Sequence, residues 1–333
     1  MTRFRILLLV AALAVVSLAV TPILANDYIP PAPRSLSPAL EARSAQLYLP
    51  LLSNSIGSSR PIATPGATHT PPAGDPVLVG AGDMRNCNTG LQETAALIKT
   101  IPGTVIMLGD STATGAPSQY PCYDAAWGQF KNRTIPVIGN HEYLTSGASG
   151  YFAYFGAAAH GPGAYFSTDV GSWHIIILNS NCSQVGGCQA GSAQEKWLRA
   201  DLAAHQGQCT LALWHHPRFN SGKQGDTIAV TPFWQDLYNA GVHLVLNGHE
   251  HNYERFARQN PNGVADPKGI REFIVGTGGA GGGSWVAAQP NSEVHAVSVF
   301  GAIKLTLHAS SYDWQFIPVP GMSFTDSGSE SCH

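Results

Sequence analysis

The sequence predicts an α/β fold, in which helices pack around a buried sheet. Strand-like apolar runs alternate with helical segments from Val77 onward, and polar side chains directly follow several of the runs. The composition is that of a globular protein, since 44% of the 333 residues are hydrophobic and 12% are charged. A net charge of −3 without a basic block gives no reason to expect a nucleic-acid partner.

The amino-terminal residues are typical of an export signal. Arg3 and Arg5 precede an apolar run from Ile6 to Val20, and a small-residue cleavage site ends at Ala25. We therefore expect residues 1–25 to be a signal peptide and the protein to be secreted. The alternative is an uncleaved anchor in the cell envelope, because the stretch from Ile6 to Ala25 is just long enough to span a bilayer.

A polar segment separates this signal from the region with regular structure. Residues 26–76 are rich in Pro, Ser, Ala and Thr. Such a segment cannot bury enough apolar surface to offset the entropy lost on ordering, so we expect a largely disordered spacer. The remaining residues, 77–333, carry all the motifs described below, and one domain over this range is the simplest arrangement.

The elements expected in this domain follow from periodicity and length. Strands are predicted at Val77–Ala81, Thr104–Leu108, Ile135–Ile138, His174–Asn179, Thr210–Trp214, Val242–Asn247 and Glu272–Val275. Helices are predicted at Gln92–Thr100, Tyr123–Asn132 and Ser192–His205. The last helix opens with a capping box, Ser192-Ala193-Gln194-Glu195. The runs Val297–Leu307 and Tyr312–Val319 alternate in the manner of an antiparallel hairpin.

Five segments place metal-ligand-type side chains directly after apolar runs. They are Gly82-Asp83, Gly109-Asp110, Gly139-Asn140-His141-Glu142, Trp214-His215-His216-Pro217 and Gly248-His249-Glu250-His251. A single Gly-Asp is typical of a turn and a single buried His is usually a core residue, so no segment is informative alone. Together they would deliver carboxylate, amide and imidazole groups to one edge of a sheet, where open α/β sheets place their sites.

The order of these segments resembles that of the metallophosphoesterases, the calcineurin-like superfamily, whose pattern runs GD, GD, GNH[ED], H and GHxH. The runs from Gly139 to Glu142 and from His249 to Arg255 look most like the purple acid phosphatase branch. The resemblance implies a four-layer αββα sandwich with a dinuclear metal centre. It also implies hydrolysis of a small phosphoester, most simply a phosphomonoester, by a metal-bound hydroxide, with two divalent or trivalent ions such as Fe, Zn or Mn.

The resemblance also implies a role for each motif residue. His141 would sit near the leaving-group oxygen as a hydrogen-bond donor or general acid, and His216 would be left to face the substrate. The expected metal ligands are Asp83 and His251 for the first ion, Asp110 as the bridge, and Asn140, His215 and His249 for the second ion.

Two departures from the family pattern affect the first metal. Most members have Asp-x-His in the first motif, but here the second residue after Asp83 is Arg85. Purple acid phosphatases supply a Tyr three residues after the second Asp, but here that residue is Ala113. Arg85 is open to two interpretations, a clamp for the substrate phosphate and a surface charge. The candidates for the missing ligand are Tyr120, Tyr123, Asn86 and water, with water favoured because the others lack the motif spacing.

Other functions remain open at this stage. A phosphodiesterase or nucleotidase would use the same centre, and a non-catalytic secreted protein would keep a degenerate metal site. The zinc-protease spacing H-E-x-x-H fails at both His141 and His249, because Thr145 and Tyr253 stand at the closing positions. The glycine-rich run 278–283 lacks the Lys and Ser/Thr of a P-loop, so we interpret it as a mobile loop, with a place in the pocket wall as the alternative.

Six cysteines suit an exported protein, because disulfides persist outside the cytosol. The sequence has no C-x-x-C spacing of the kind that a zinc site would use. We expect Cys87 to pair with Cys122, since each follows one of the two Gly-Asp turns. We also expect Cys182 to pair with Cys188 around a small loop.

Overall fold

A computed structural model describes residues 74–85, 87 and 89–333, which form an α/β fold with two mixed sheets. The signal peptide and the spacer that the sequence predicts lie outside the described residues, apart from the last residues of the spacer, and so does Asn86. Within the described ranges, no helix has the length and apolar character that crossing a membrane requires.

Thirteen strands and five α-helices are present in the part of the chain that the structure describes. The strands are β1 (Val77–Ala81), β2 (Thr104–Leu108), β3 (Thr134–Val137), β4 (Phe166–Val170), β5 (Trp173–Ile177), β6 (Thr210–Leu213), β7 (Leu244–Asn247), β8 (Asn252–Phe256), β9 (Arg271–Val275), β10 (Ser292–Val297), β11 (Gly301–Leu307), β12 (Ser311–Pro318) and β13 (Asp326–Ser331). The helices are α1 (Thr89–Lys99), α2 (Tyr120–Trp127), α3 (Ser149–Phe155), α4 (Ala193–Ala204) and α5 (Thr231–Asn239).

Each sheet combines a run of parallel strands with antiparallel strands. The first sheet has the order β13-β12-β11-β1-β2-β3, and β1, β2 and β3 are parallel. The second sheet has the order β10-β8-β9-β7-β6-β5-β4, and β5, β6, β7 and β9 are parallel. Because parallel strands share a direction, the turns that follow them lie at the same edge of the sheet.

Buried apolar clusters on both faces of each sheet give the layer order. Side chains alternate along a strand, so Ile106 of β2 and Leu244 of β7 point into a core shared by the two sheets. The neighbouring Val105 packs against α1, α2 and α3, while Val245 packs against α4 and α5. The fold is therefore the four-layer αββα sandwich that the resemblance implied.

The predicted elements that carry the motifs are confirmed. β1 and β2 have the predicted bounds, and the other predicted strands differ from the structure by one or two residues at an end. Helix α4 begins after Ser192, whose Oγ accepts a hydrogen bond from the Glu195 backbone N–H at 3.3 Å. The predicted capping box is only half formed, because the Glu195 carboxylate accepts the Gly191 backbone N–H at 2.8 Å and not that of Ser192. The predicted hairpin is present as β11 and β12, which pair antiparallel, but β11 begins at Gly301, and Val297 is the last residue of β10 in the other sheet.

One predicted helix is partly wrong. The segment Tyr123–Asn132 was expected to be one helix, but α2 starts at Tyr120, with a proline in its first turn, and ends at Trp127. The chain continues as a 3₁₀ turn over Gly128–Arg133. Glycine is a poor residue for a helix interior, which explains the end of the α-helix at this point.

Three disulfides pair all six cysteines, every one of which lies in the described part of the chain. The expected pairs Cys87–Cys122 and Cys182–Cys188 are confirmed. The third disulfide joins Cys209, just before β6, to Cys332 near the carboxyl terminus. It closes the longest covalent loop and so removes the most conformational freedom from the unfolded chain.

Candidate metal centre

The predicted ligands meet where the parallel strands of the two sheets end. Each of these residues follows a strand or leads into the next one, so its position is fixed by the sheet. Asp83 follows β1, Asp110 follows β2, Asn140 follows β3, His215 follows β6, His249 follows β7, and His251 directly precedes β8.

Three of these turns hold a ligand residue in a left-handed backbone conformation. The φ angles are +63° at Asp83, +55° at Asp110 and +73° at His249. Such angles cost a non-glycine residue on the order of 1 kcal/mol and cluster at functional sites. Gly139 is needed for a different reason, because a Cβ there would collide with the Asp110 carboxylate of the adjacent turn. The turns are packed directly on one another, which brings their side chains together.

Asn140, His215 and His249, with Asp110, form a group that we call the second half-site. The Nδ1 atom of His215 donates to the Leu108 carbonyl at 2.7 Å. Its Nε2 then faces Asn140 Oδ1 at 3.1 Å and Asp110 Oδ1 at 3.3 Å. His249 Nδ1 lies 3.1 Å from the same amide oxygen. These atoms are suitable ligands for a borderline or hard cation such as Zn, Fe or Mn.

Asp83 and His251, with a ligand atom of Asp110 within 4.8 Å of one of Asp83, form a group that we call the first half-site. His251 Nδ1 lies 2.6 Å from the Gly281 carbonyl and donates to it, which leaves Nε2 3.5 Å from Asp83 Oδ1. The Asp83 side chain is fully buried, and its Oδ2 accepts the His249 backbone N–H at 2.7 Å. Its Oδ1 has no hydrogen-bond partner among the described residues. Because a buried carboxylate oxygen without a hydrogen bond is costly, and its ion pair with His251 needs a protonated imidazole, this atom fits a cation ligand.

The pKa values of the titratable groups in the second half-site differ strongly from their ordinary values. Burial alone would lower the pKa of His215, but the adjacent Asp110 carboxylate raises that pKa to about 9. Burial alone would raise the pKa of Asp110, but His215 and His141 hold it well below its ordinary value. Burial, reinforced by the charge on His215, lowers the pKa of His249 to about 4. His215 and Asp110 thus stabilise each other's charged forms, and a bound metal would displace the proton on His215 Nε2.

Glu142 connects two of the turns that carry candidate ligands, a role that the sequence did not predict. Its fully buried carboxylate accepts backbone N–H groups from Asp110 at 3.0 Å, Ser111 at 2.8 Å and Gly139 at 2.8 Å. Burial and the nearby Asp110 raise the pKa of Glu142 to about 7. The one sequence signal was its place as the last residue of the Gly139–Glu142 motif.

His141 and Arg85 lie side by side at the centre. His141 Nδ1 lies 2.6 Å from the Ala113 carbonyl and donates to it, so Nε2 is the acceptor for Arg85 Nη1 at 2.5 Å. The His141 backbone N–H donates to Asp110 Oδ1 at 2.9 Å. Arg85 Nη2 lies 3.3 Å from His251 Nδ1, but that nitrogen already donates to a backbone carbonyl and cannot also accept. The guanidinium is therefore in contact with an imidazole of the first half-site without a hydrogen bond to it.

His216 lies beside the second half-site. Its Nδ1 is 2.7 Å from Ser180 Oγ, which also accepts the His216 backbone N–H at 3.0 Å. Its ring centre is 4.3 Å from that of His249, and the two residues group with His215 as possible ligands of one ion. Burial, together with His215 and His249, lowers the pKa of His216 well below its ordinary value, so the ring is neutral. The sequence contained no signal for the contact with Ser180.

The tyrosines considered for the missing ligand are engaged elsewhere. The Tyr120 hydroxyl accepts from Ser111 Oγ at 3.3 Å and its ring stacks on Tyr154, while Tyr123 belongs to the same apolar cluster. Burial raises the pKa of both Tyr120 and Tyr123, which disfavours the tyrosinate form that binds metal. Water as the completing ligand stays a prediction.

The glycine-rich run 278–283 lies against the first half-site, which was the alternative to a free loop. The backbone N–H of Gly278 donates to Gly82 O at 2.8 Å, and that of Ala280 donates to Asp83 O at 2.7 Å. The Gly281 carbonyl accepts from His251 at 2.6 Å. The run thus orients one of the predicted ligands.

A separate group of His and Asp side chains lies on β4, β5 and α4. His174 Nδ1 is 2.9 Å from Asp169 Oδ1, its Nε2 is 2.8 Å from Asp201 Oδ2, and its ring stacks on His205. Both ring nitrogens of His174 therefore already have carboxylate partners, and the group is accounted for by its own ion pairs.

Comparison with known proteins identifies the family of the chain. The calcineurin-like phosphoesterase family model matches residues 68–253, which is more than half of the chain. The chain belongs to this family.

Similar relatives come from the purple acid phosphatase branch. Purple acid phosphatase 18 of Arabidopsis thaliana is 35% identical over 122 residues, a match that covers 34% of this chain and 26% of the relative. Purple acid phosphatase 23 of the same plant is 28% identical over 225 residues, covering 55% of this chain and 48% of the relative. The chain thus matches between about a quarter and a half of these relatives' length.

Solved structures with a similar fold include one from the same branch. The purple acid phosphatase PPD1 of yellow lupin has a TM-score of 0.61 at 20% identity, with 77% of this chain and 53% of that chain covered. GAP50 of Plasmodium, described as the anchor in the inner membrane complex, has a TM-score of 0.59 at 14% identity, with 76% and 88% covered. At these identities the similarity shows the fold alone.

Proposed function

We propose that this protein is a secreted, metal-dependent phosphoesterase, and specifically a phosphomonoesterase with one metal ion at each half-site. The observation that carries the proposal is the convergence of carboxylate, amide and imidazole groups around Asp110. The buried Asp83 Oδ1, which lacks a hydrogen-bond partner among the described residues, supports a cation at this place. Membership of the phosphoesterase family and similarity to proteins named purple acid phosphatases support the reaction and the monoester class.

When bound, the metal ions would neutralise charge on the phosphoryl oxygens and make a water molecule nucleophilic. The chain contributes the groups around them. His141 Nδ1 is fixed by the Ala113 carbonyl, so Nε2 is the atom that would hold a proton near the leaving oxygen. Arg85 now donates to that Nε2 and would turn to the phosphoryl oxygens, with which a guanidinium forms strong charge-assisted hydrogen bonds. His216, held through Nδ1 by Ser180, would face the substrate with Nε2.

Secretion and a single catalytic domain over residues 77–333 are part of this proposal. The three disulfides suit an oxidising compartment, and the amino-terminal sequence is typical of an export signal.

The test is to measure metal content and hydrolysis on the same purified sample. We expect bound metal, faster turnover of 4-nitrophenyl phosphate than of bis(4-nitrophenyl) phosphate, and loss of activity on chelation that added metal restores. Faster turnover of the diester would indicate a phosphodiesterase or nucleotidase instead. Bound metal without hydrolysis of either compound would indicate a non-catalytic protein with a degenerate site.

A further inference from the structure

The two half-sites offer different numbers of protein donors. Among the described residues, the second half-site brings together Asp110, Asn140, His215 and His249. The first half-site brings together Asp83 and His251, with the Asp110 carboxylate within reach of Asp83, which is one donor fewer.

A cavity lies beside Arg85 and the turn Ser111–Ala113 that follows Asp110, and none of Asp83, Asp110 and His251 lines it. It has a volume of about 180 Å³, and its lining includes Arg85, Ser111, Ala113 and Tyr123. The methyl group of Ala113 cannot bind a metal ion. Tyr123 is buried in the neighbouring apolar cluster, where burial raises the pKa of its hydroxyl. A cation at the first half-site would therefore depend on solvent to complete its coordination.

Arg85 places a fixed positive charge next to that position. Its Nη1 is 2.5 Å from His141 Nε2 and its Nη2 is 3.3 Å from His251 Nδ1. Its Nε is buried and has no hydrogen-bond partner among the described residues. The guanidinium is thus held between two imidazoles, without a carboxylate partner in the described ranges to neutralise it.

We propose that Arg85 makes the two half-sites unequal, so that the second half-site holds its ion tightly and the first holds its ion weakly. The inference rests on the metal centre of the proposed function. A like charge a few ångströms from a divalent ion in a partly buried site weakens binding on the order of tenfold or more. The missing donor also weakens metal binding at the first half-site. In dilute free metal the protein would therefore retain one ion per chain.

The experiment is a titration of the chelator-treated full chain with Zn²⁺, followed by isothermal calorimetry and by metal analysis after equilibrium dialysis. For the wild-type protein we expect one tight ion and one ion bound at least tenfold more weakly. Arg85→Ala and the closer mimic Arg85→Gln should tighten the weak site about tenfold and leave the tight site unchanged. Arg85→Lys retains the charge and should keep the two sites unequal.

Arg199→Ala is the matched control, because Arg199 is an exposed arginine on α4 that pairs with Glu195 outside the centre. It should leave both affinities as in the wild type. Circular dichroism of each metal-free variant shows whether it is folded, and Arg85→Gln replaces Arg85→Ala if the latter is not. Two equal wild-type sites, or unchanged affinities in both neutral variants, would overturn this inference while leaving the proposed function intact. No bound Zn²⁺ in the wild-type protein would overturn the proposed function as well.

Discussion

The two half-sites differ in how the protein holds their ligands. In the second half-site, His215 is anchored to the Leu108 carbonyl at the end of β2, so one sheet orients a ligand from the other. In the first half-site, His251 is anchored to Gly281 in a glycine-rich loop, and Arg85 lies against its ring. The candidate ligands of the second half-site are thus preorganised for a cation, whereas the first half-site has a donor fewer and a competing charge nearby.

The largest expected effect is at the carboxylate shared by both half-sites. Asp110→Asn removes a negative charge that faces His215 and the space between the half-sites, so turnover of an aryl phosphate should fall by about 10³-fold or more. Both Zn²⁺ affinities should also fall, as measured by calorimetry. The control is Asp313→Asn, since Asp313 is half exposed and pairs with His308 away from the centre. Activity within about tenfold of wild type would remove Asp110 from the mechanism.

Single ligand substitutions separate the half-sites. His215→Ala should abolish the tight ion and lower turnover by about 10²-fold or more, because it removes an oriented donor of the second half-site. His251→Ala should leave the tight ion in place and remove the weak one. Metal analysis after dialysis against dilute Zn²⁺ distinguishes the two. Loss of the tight ion in His251→Ala alone would reverse the proposed order of affinities.

His141 is assigned to the leaving group and not to a half-site. His141→Ala should therefore lower kcat by about 10²-fold on alkyl phosphates and by less on 4-nitrophenyl phosphate, whose leaving group needs little protonation. Metal content should stay at the wild-type value. If the variant loses a metal ion, the assigned role is wrong.

Adding a donor to the first half-site should raise its metal affinity towards that of the second half-site. The iron-loaded wild-type protein should be colourless, because no tyrosinate in the described ranges has a place at the centre. Ala113→Tyr extends into the adjoining cavity and should bind ferric iron more tightly and gain a visible absorption band. A band in the wild-type protein would show that another tyrosine already serves as a ligand, with Tyr120 and Tyr123 as the first candidates.

The smallest expected effect lies outside the centre, at the amino-terminal end of β7. His243 Nδ1 accepts the Thr210 backbone N–H at 3.1 Å, and burial lowers the pKa of His243 to about 4. Since the unfolded residue titrates near pH 6.5, the unfolded chain binds more protons between pH 6.5 and 4, and stability falls as the pH drops through this window. His243→Gln should reduce that loss by about 2 kcal/mol in urea titrations and leave metal content unchanged at neutral pH. An equal loss in both proteins would exclude His243 as the source.

The parts of the fold that the sequence predicted are those with a local signal. β1 and β2 are short apolar runs bounded by turns, so their ends could be placed correctly. β8 was missed because it reads Asn252-Tyr253-Glu254-Arg255-Phe256, and burial of its charged residues depends on distant partners such as Asp326. β10 is an outer strand with alternate residues exposed, and little in its composition indicates a strand. The helices α3 and α5 were also missed.

In the candidate site, too, the features with a local sequence signal were predicted and those that depend on tertiary packing were not. The motifs predicted which side chains would meet. Each motif follows a strand, and neighbouring parallel strands bring the residues after them to the same edge of the sheet. The contacts of Glu142, Ser180 and Gly281 could not be predicted, since they depend on how turns from both sheets pack. The position of Arg85 between His141 and His251 could not be predicted either, for the same reason.

The most direct test of the unequal centre is anomalous diffraction from crystals of the wild-type protein grown in dilute Zn²⁺. We expect the strongest peak among Asn140, His215 and His249, and a weaker peak, or none until Zn²⁺ is raised, beside Asp83 and His251. Two peaks of equal height in dilute Zn²⁺ would contradict the inequality. Zinc bound at His174 and Asp201, with none at the strand ends, would contradict the metal centre itself.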